Sequence, residues 1–235
     1  MTNIVVLNNH THLKLRVHAQ ASAALGDNQR FVAVVVGEFL ALALQYPIFF
    51  SKEADTGRFY CGVMLGFDPN ENLFLEEHRQ RTLYRPLNLQ RGPFYTAGPD
   101  LAVDLEHPRV AQSGDQVLFD ERGEPSAYLK SIIGLMKDLQ PGLEQTRLFI
   151  ETLLGLQLIE PVMVNATFDD GSRREIEGLY TVSHEALKAL PDAHAVDLFR
   201  RGYLQLIYLQ IASVTRVMEL TRRKNQGFMR VGAPT

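Results

Sequence analysis

The chain has a single cysteine, Cys61, among its 235 residues. One thiol cannot build an intramolecular disulfide framework, and it fits a reducing compartment as well as an indifferent one. Charge of one sign is also lacking. The net charge of −3 gives no electrostatic reason to bind a polyanion or an anionic membrane surface. Long apolar runs are missing too. The best candidate, YLQLIYLQIASV (203–214), is interrupted by Gln205 and Gln210 and falls short of the roughly 20 apolar residues that a membrane span needs. The start, MTNIVVLNNHTHLKLRV, lacks the charged, apolar and small-residue pattern of a secretory signal. No G-x-S-x-G elbow, Walker loop or G-x-G-x-x-G is found, which removes the commonest nucleophile and nucleotide signatures. These absences predict a cytoplasmic protein with no nucleic-acid partner, no membrane insertion and no cofactor.

What is present suits folding. Apolar residues make up 46% and charged residues 22%, the balance of a globular chain with a sizeable core. Up to about residue 122 the pattern is short apolar runs between turn residues. LKLRV (13–17) alternates as a half-buried strand, FVAVVV (31–36) and FYCGVML (59–65) suit strands covered on both faces, and EFLALALQ (38–45) is a short helix stopped before Pro47. LAVDL (101–105) and QVLF (116–119) are weaker strands, and 78–100, with three prolines, is expected to be irregular.

The period then changes. SAYLKSIIGLMKDL (126–139) predicts a helix, and Pro141 the first turn of a second one. VMVNATFDDGSRREIEGLYTV (162–182) predicts a hairpin around an Asp-Gly turn. Ser183 caps a short helix, and Asp192 starts a long one to about Arg223. In that helix Val196, Phe199, Tyr203, Ile207, Ile211, Val214 and Met218 form an apolar stripe, with a thin polar line through Gln205, Ser213, Arg216 and Arg223. Gly202 inside it implies close approach by a neighbour. The whole predicts an α+β protein: residues 1–122 as a mixed, mostly antiparallel sheet region with a short helix, packed with a helical part at 123–224 that contains the hairpin. Residues 225–235 are expected to form a flexible tail.

Chemistry is harder to locate. In GFDPNENLFLEE (66–77), Asp68, Asn70 and Asn72 stand at the first, third and fifth places of a calcium loop. Its sixth and twelfth places hold Leu73 and Arg79, where the ion needs glycine and a bidentate glutamate. A turn leading into a strand LFLEE is the expectation, with no metal. His10-Thr11-His12 would put two imidazoles on one strand face, and Asp104, Glu106 and His107 in DLEHP form a loose second cluster; neither completes a ligand set. Glu38 opens a helix after a strand, which suits an acid or base but also a partner for the helix dipole. The order helix, link, helix, hairpin over 126–182 suggests a winged helix-turn-helix, but Arg147 is the lone basic residue in 143–158, against the several that phosphate binding requires.

Six segments together resemble the SapC-like proteins of bacteria: FLALALQYPIFF (39–50), GFDPNENLF (66–74), YRPLNLQRGPF (84–94), LFDERGEPSAYL (118–129), IEGLYTVSHEALKAL (176–190) and FRRGYLQLIYLQIASVTRV (199–217). The resemblance covers nearly the whole chain and carries no catalytic residues. DLEHP departs from the serine-containing pattern expected at its position. The family is named for a surface-layer gene cluster, and its occasional permease label conflicts with a chain that has no span. Similar proteins are encoded beside TonB-dependent receptors, halogenase-like and cupin-like proteins. The resemblance therefore implies an accessory or binding protein with a protein partner or a second copy of itself, in nutrient uptake or peptide modification. The alternatives are a surface-layer-associated protein and an enzyme component whose site is assembled from Glu38, His12, Asp104, Arg85 and Tyr84.

Overall fold

The structure is a computed structural model that describes residues 3–231, with side chains to residue 228. The first part of the chain gives β1 (Ile4–Val6), β2 (Arg16–Val17), β3 (Phe31–Ala33), α1 (Phe39–Leu42), β4 (Ile48–Lys52) and β5 (Phe59–Met64). Next come α2 (Leu75–Gln80), α3 (Leu87–Gln90), β6 (Phe94–Ala97), β7 (Asp100–Asp104) and β8 (Gln116–Val117). The remainder holds α4 (Ala127–Gly155), β9 (Ile159–Thr167), β10 (Arg173–Val182), α5 (His184–Lys188), α6 (Asp192–Arg200), α7 (Tyr203–Ser213) and α8 (Val217–Val231). The fold is α+β, and every strand pairing among the described residues is antiparallel.

The chain divides into two compact, interleaved units: Met1–Asn28 with Leu75–Pro141, and Gln29–Phe74 with Gly142–Thr235. The first holds a three-stranded sheet in the order β1-β7-β6 and the β2-β8 pair. Phe94, Ala102, Val103, Leu118 and Leu129 are among its buried apolar side chains. The stretch 78–100 is more ordered than its prolines imply. Pro86 and Pro93 stand just before α3 and β6, where a missing N–H disrupts nothing. LFLEE is turn and helix rather than extended: α2 opens at Leu75, with Glu76 and Glu77 in its first turn and Arg79 in its last, each complementing the dipole.

The second unit is built on a five-stranded sheet in the order β3-β5-β4-β10-β9. The late hairpin therefore continues the early strands, through the pairs Leu179–Ser51 and Tyr180–Phe50. Tyr46 meets Phe74 edge-on at 4.7 Å and Phe39 meets Phe149 at 6.2 Å, within a core that also buries Ile48, Phe49 and Phe50.

Three helical expectations are corrected. α4 runs through Pro141 without stopping, so there is no helix-turn-helix over 126–158. A proline inside a helix costs roughly 3 kcal/mol, and burial on both sides of it offsets that: Leu129, Ile132 and Leu139 before, Phe149, Ile150 and Leu153 after. The long helix from Asp192 is broken at Gly202, whose φ of 72° is left-handed. A Cβ there would meet nothing within 4 Å, so conformation and not close packing calls for glycine. The break turns the apolar stripe, leaving Val196, Phe199 and Met218 exposed at 46%, 71% and 73%. Finally, α8 continues to Val231 through most of the expected tail, with Phe228 edge-on to Phe168 and Asn225 accepting from the Asp169 N–H; residues 232–235 lie outside the described residues.

The buried face of α7 carries polar groups beside Ile207, where an apolar stripe was expected. Gln210 and Ser213 are fully buried. The pairing of β10 with β4 stops at Tyr180–Phe50, and in the same register Val182 would face Ile48. The Gln210 carboxamide fills that step: its Nε2 donates to the Ile48 carbonyl at 2.9 Å and its Oε1 accepts from the Val182 N–H at 3.1 Å. The Ser213 hydroxyl accepts from the Ile48 N–H at 2.9 Å. A side chain thus satisfies backbone groups that a splayed ladder would leave buried and unpaired.

Candidate functional site

The densest buried charge in the first unit centres on Asp27, which follows a 3-10 turn at Ala23–Leu25. Its carboxylate takes Arg85 Nη2 on one oxygen at 2.7 Å, and on the other Arg109 Nη2 and the Ser22 N–H, the last at 2.7 Å. Arg109 also donates to the carbonyls of His18 and Gln20, at 2.8 and 2.9 Å, and Arg85 to that of Leu89 at 2.8 Å. Side-chain exposure is 3% for Asp27 and Arg109 and 14% for Arg85. Two guanidinium groups share one carboxylate, so the cluster carries excess positive charge out of water. Burial, followed by Arg109 nearby, pushes the Arg85 guanidinium below its ordinary range against the pull of Asp27. Its Nε is buried without a hydrogen-bond partner among the described residues.

Around this centre stand Tyr128 and His107. Burial raises the Tyr128 phenol, against the opposing fields of Arg109 and Arg85. Burial and then Arg109 hold the His107 imidazole below its ordinary range, opposed by Asp104. His107 Nδ1 accepts from the Arg109 N–H at 3.1 Å, which leaves the proton of the neutral ring on Nε2. A guanidinium is not an acid or base near neutrality. Held below its ordinary range, the His107 imidazole is neutral at pH 7. The geometry otherwise fastens the 18–27 loop to α3 and to the turn after β7.

Of the residues singled out in the sequence, Arg85 and Asp104 fall in this neighbourhood. Asp104 is buried at the end of β7, where one carboxylate oxygen accepts from the N–H groups of Asn3 and Glu106 at 2.9 and 3.1 Å. Tyr84 is partly buried in the loop before α3. His12 lies in a turn and not a strand: the Asn8 side chain accepts from the N–H groups of His10 and Thr11, and the Asn8 N–H donates to His12 Nδ1 at 3.1 Å. Glu38 belongs to the second unit, buried at the end of a 3-10 turn with its carboxylate accepting from the Val35 N–H at 3.0 Å. That is the reach-back half of a capping box. Among the described residues no three His, Cys, Asp or Glu side chains converge as metal ligands would.

The calcium-like loop has a cation of another kind. Lys224 Nζ from α8 donates to Asp68 at 2.7 Å and to Glu71, while Arg174 Nε donates to the other Asp68 oxygen at 2.6 Å. The second Glu71 oxygen accepts from the Phe67 N–H at 2.8 Å. Hydrogen bonds from Arg174 and then Lys224 hold the Asp68 carboxyl below the usual carboxylate range. The loop is a socket for the C-terminal helix. Sequence reasoning missed Asp27, Arg109, Lys224 and Gln210. Arg109 stands two residues after His107 in DLEHPR, but nothing local marks its partners, 82 residues away in the case of Asp27.

A family model, SapC, matches residues 7–220. The chain belongs to the SapC family. Neither a curated protein nor a solved structure matches this SapC-family chain. No helix among its described residues is long and apolar enough to cross a membrane.

Proposed function

We propose that this SapC-family chain is a non-catalytic accessory or binding protein that works in the cytoplasm through its helical surface. The observation that carries this reading is a division of labour among its side chains. The buried and part-buried charges hold the fold: Asp27 between Arg85 and Arg109, Asp68 and Glu71 on Lys224, Glu38 on a backbone N–H. Apolar side chains are meanwhile left in water on four helices of the second unit, Leu40 on α1, Val196 and Phe199 on α6, Tyr208 on α7 and Met218 on α8, and at Leu44 in the turn after α1. Both α1 and α6 pack on α7. Where such side chains form one contiguous patch they mark an association site. A protein of a TonB-dependent uptake or peptide-modification system is the partner class that the family resemblance suggests, and a second copy of the chain is the alternative.

The test is capture from the native cell by the tagged chain and by a Phe199→Asp, Met218→Asp double variant. The reading expects one protein recovered in near-stoichiometric amount with the wild type and absent with the variant. Sedimentation velocity separates the alternative, since self-association shows in the purified chain alone. An equal yield with both proteins would overturn the proposal.

A further inference from the structure

Gly178 interrupts β10 with a φ of 76°, and the register of β10 against β9 shifts there, between Ile176 and Leu179. A glycine in this conformation is how a strand accommodates a bulge. The bulge turns the Gly178 carbonyl toward β4, where the Ser51 hydroxyl donates to it at 3.0 Å. Beside it the five-stranded sheet carries a depression of about 130 Å³. Its apolar wall is Phe31, Met64, Ile176 and Leu179. Its polar rim is Arg30, Tyr60 and Glu177.

The rim differs from the other charge clusters of this unit. Asp68, Glu71, Arg174, Lys224 and Glu219 are all ion-paired. Among the described residues the Glu177 carboxylate has no hydrogen-bonding or ionic partner, and neither does the Tyr60 hydroxyl, whose ring leans edge-on against Phe31 at 5.9 Å. The Arg30 guanidinium makes one long contact, 3.5 Å to the Phe67 carbonyl. A cation with no ionic partner and an unpaired carboxylate therefore flank an apolar wall without neutralising each other. The volume is well under the ~300–1,000 Å³ of pockets for drug-sized ligands, so the site suits a group of about one residue.

We infer that this depression binds a small apolar zwitterion of the α-amino-acid type, its carboxylate on Arg30, its ammonium on Glu177 and its hydrocarbon on the Phe31–Met64–Leu179 wall. Free amino acids and short peptides share that chemistry. The site lies on the sheet and does not depend on the helical surface proposed above.

The experiment is saturation-transfer NMR titration of the full chain with L-leucine, with 4-methylpentanoate (no ammonium), with 3-methylbutylamine (no carboxylate) and with the dipeptide Leu-Leu. Each is repeated on Arg30→Gln and Glu177→Gln, exposed positions whose exchange should leave the fold intact by circular dichroism. Removing a charge-assisted contact should weaken L-leucine by about 10- to 100-fold in either variant. 4-Methylpentanoate should respond to Arg30→Gln alone and 3-methylbutylamine to Glu177→Gln alone. Tighter binding of Leu-Leu than of L-leucine assigns the site to peptides, and the reverse order to free amino acids. Failure of both to bind in the millimolar range, or binding that both variants leave unchanged, overturns the inference.

Discussion

Replacing Gln210 by methionine tests how the two late strands are joined to the early ones. Methionine keeps the length of the side chain and removes its carboxamide. The Ile48 carbonyl and the Val182 N–H then lose their partner in places where Ile48 is 0% and Val182 3% exposed. Leaving a buried backbone group unpaired costs about 1–3 kcal/mol, hence about 2–6 kcal/mol for two. The more apolar side chain returns about 1 kcal/mol of that. Strand relaxation lowers the upper end, so a loss of about 2–4 kcal/mol is expected, a change of roughly 30- to 1,000-fold in the unfolding constant. Gln205→Met is the control, because Gln205 is exposed on the same helix and should stay within about 0.5 kcal/mol of wild type. Urea unfolding followed by far-ultraviolet circular dichroism gives both values. Amide exchange at Val182 gives an independent signal, since its protection should fall in Gln210→Met alone. Equal stability of the two variants, with Val182 still protected, would refute the bridging role.

Asp27→Asn leaves Arg85 and Arg109 facing each other without a countercharge. Breaking a buried ion pair of this kind costs about 3–5 kcal/mol, readable as a lower urea midpoint; a loss under about 1 kcal/mol would contradict the assigned geometry. For His107, a folded-state imidazole held below its ordinary range means that the unfolded chain binds the proton more readily. Its contribution to stability is whole above about pH 6.5 and is lost as pH falls from there through the folded value. The urea midpoint should drop between pH 7.5 and 5.5, on the order of the histidine range, and His107→Gln should flatten that drop. Cys61 is fully buried and burial raises its thiol, so an aromatic disulfide reagent should react at the rate of unfolding; immediate reaction of the native chain would place the residue elsewhere.

Much of the fold was legible because local pattern and tertiary context agree. FYCGVML is a strand in isolation and in the sheet, and the Ser183 side chain caps α5 by accepting from the Ala186 N–H. Errors arose where the two part. Pro141 is a stop signal that burial on both sides overrides, and the periodicity from Asp192 to Arg223 runs unbroken through a glycine whose backbone ends the helix. Gln210 reads as an interruption in an apolar run because its partners, Ile48 and Val182, are backbone groups remote in sequence. For the candidate cluster, Arg85 and Asp104 were visible as residue types, but the carboxylate that organises it was not. Asp27 follows a glycine in an ordinary-looking loop, and only space brings Arg85 and Arg109 to it. The same holds for Lys224, which supplies the cation that the 66–77 loop suggested in another form.

The claim that buried charge holds this fold while exposed apolar side chains make its contacts is tested most directly by one affinity comparison. The protein captured by the chain, or the second copy of the chain itself, is titrated against the wild type and against Phe199→Asp, Met218→Asp. The account predicts a loss of about 30-fold or more, the scale of an association hot spot, with an unchanged urea midpoint. Undiminished affinity in the double variant, or a wild-type chain that stays monomeric and captures nothing, would contradict it.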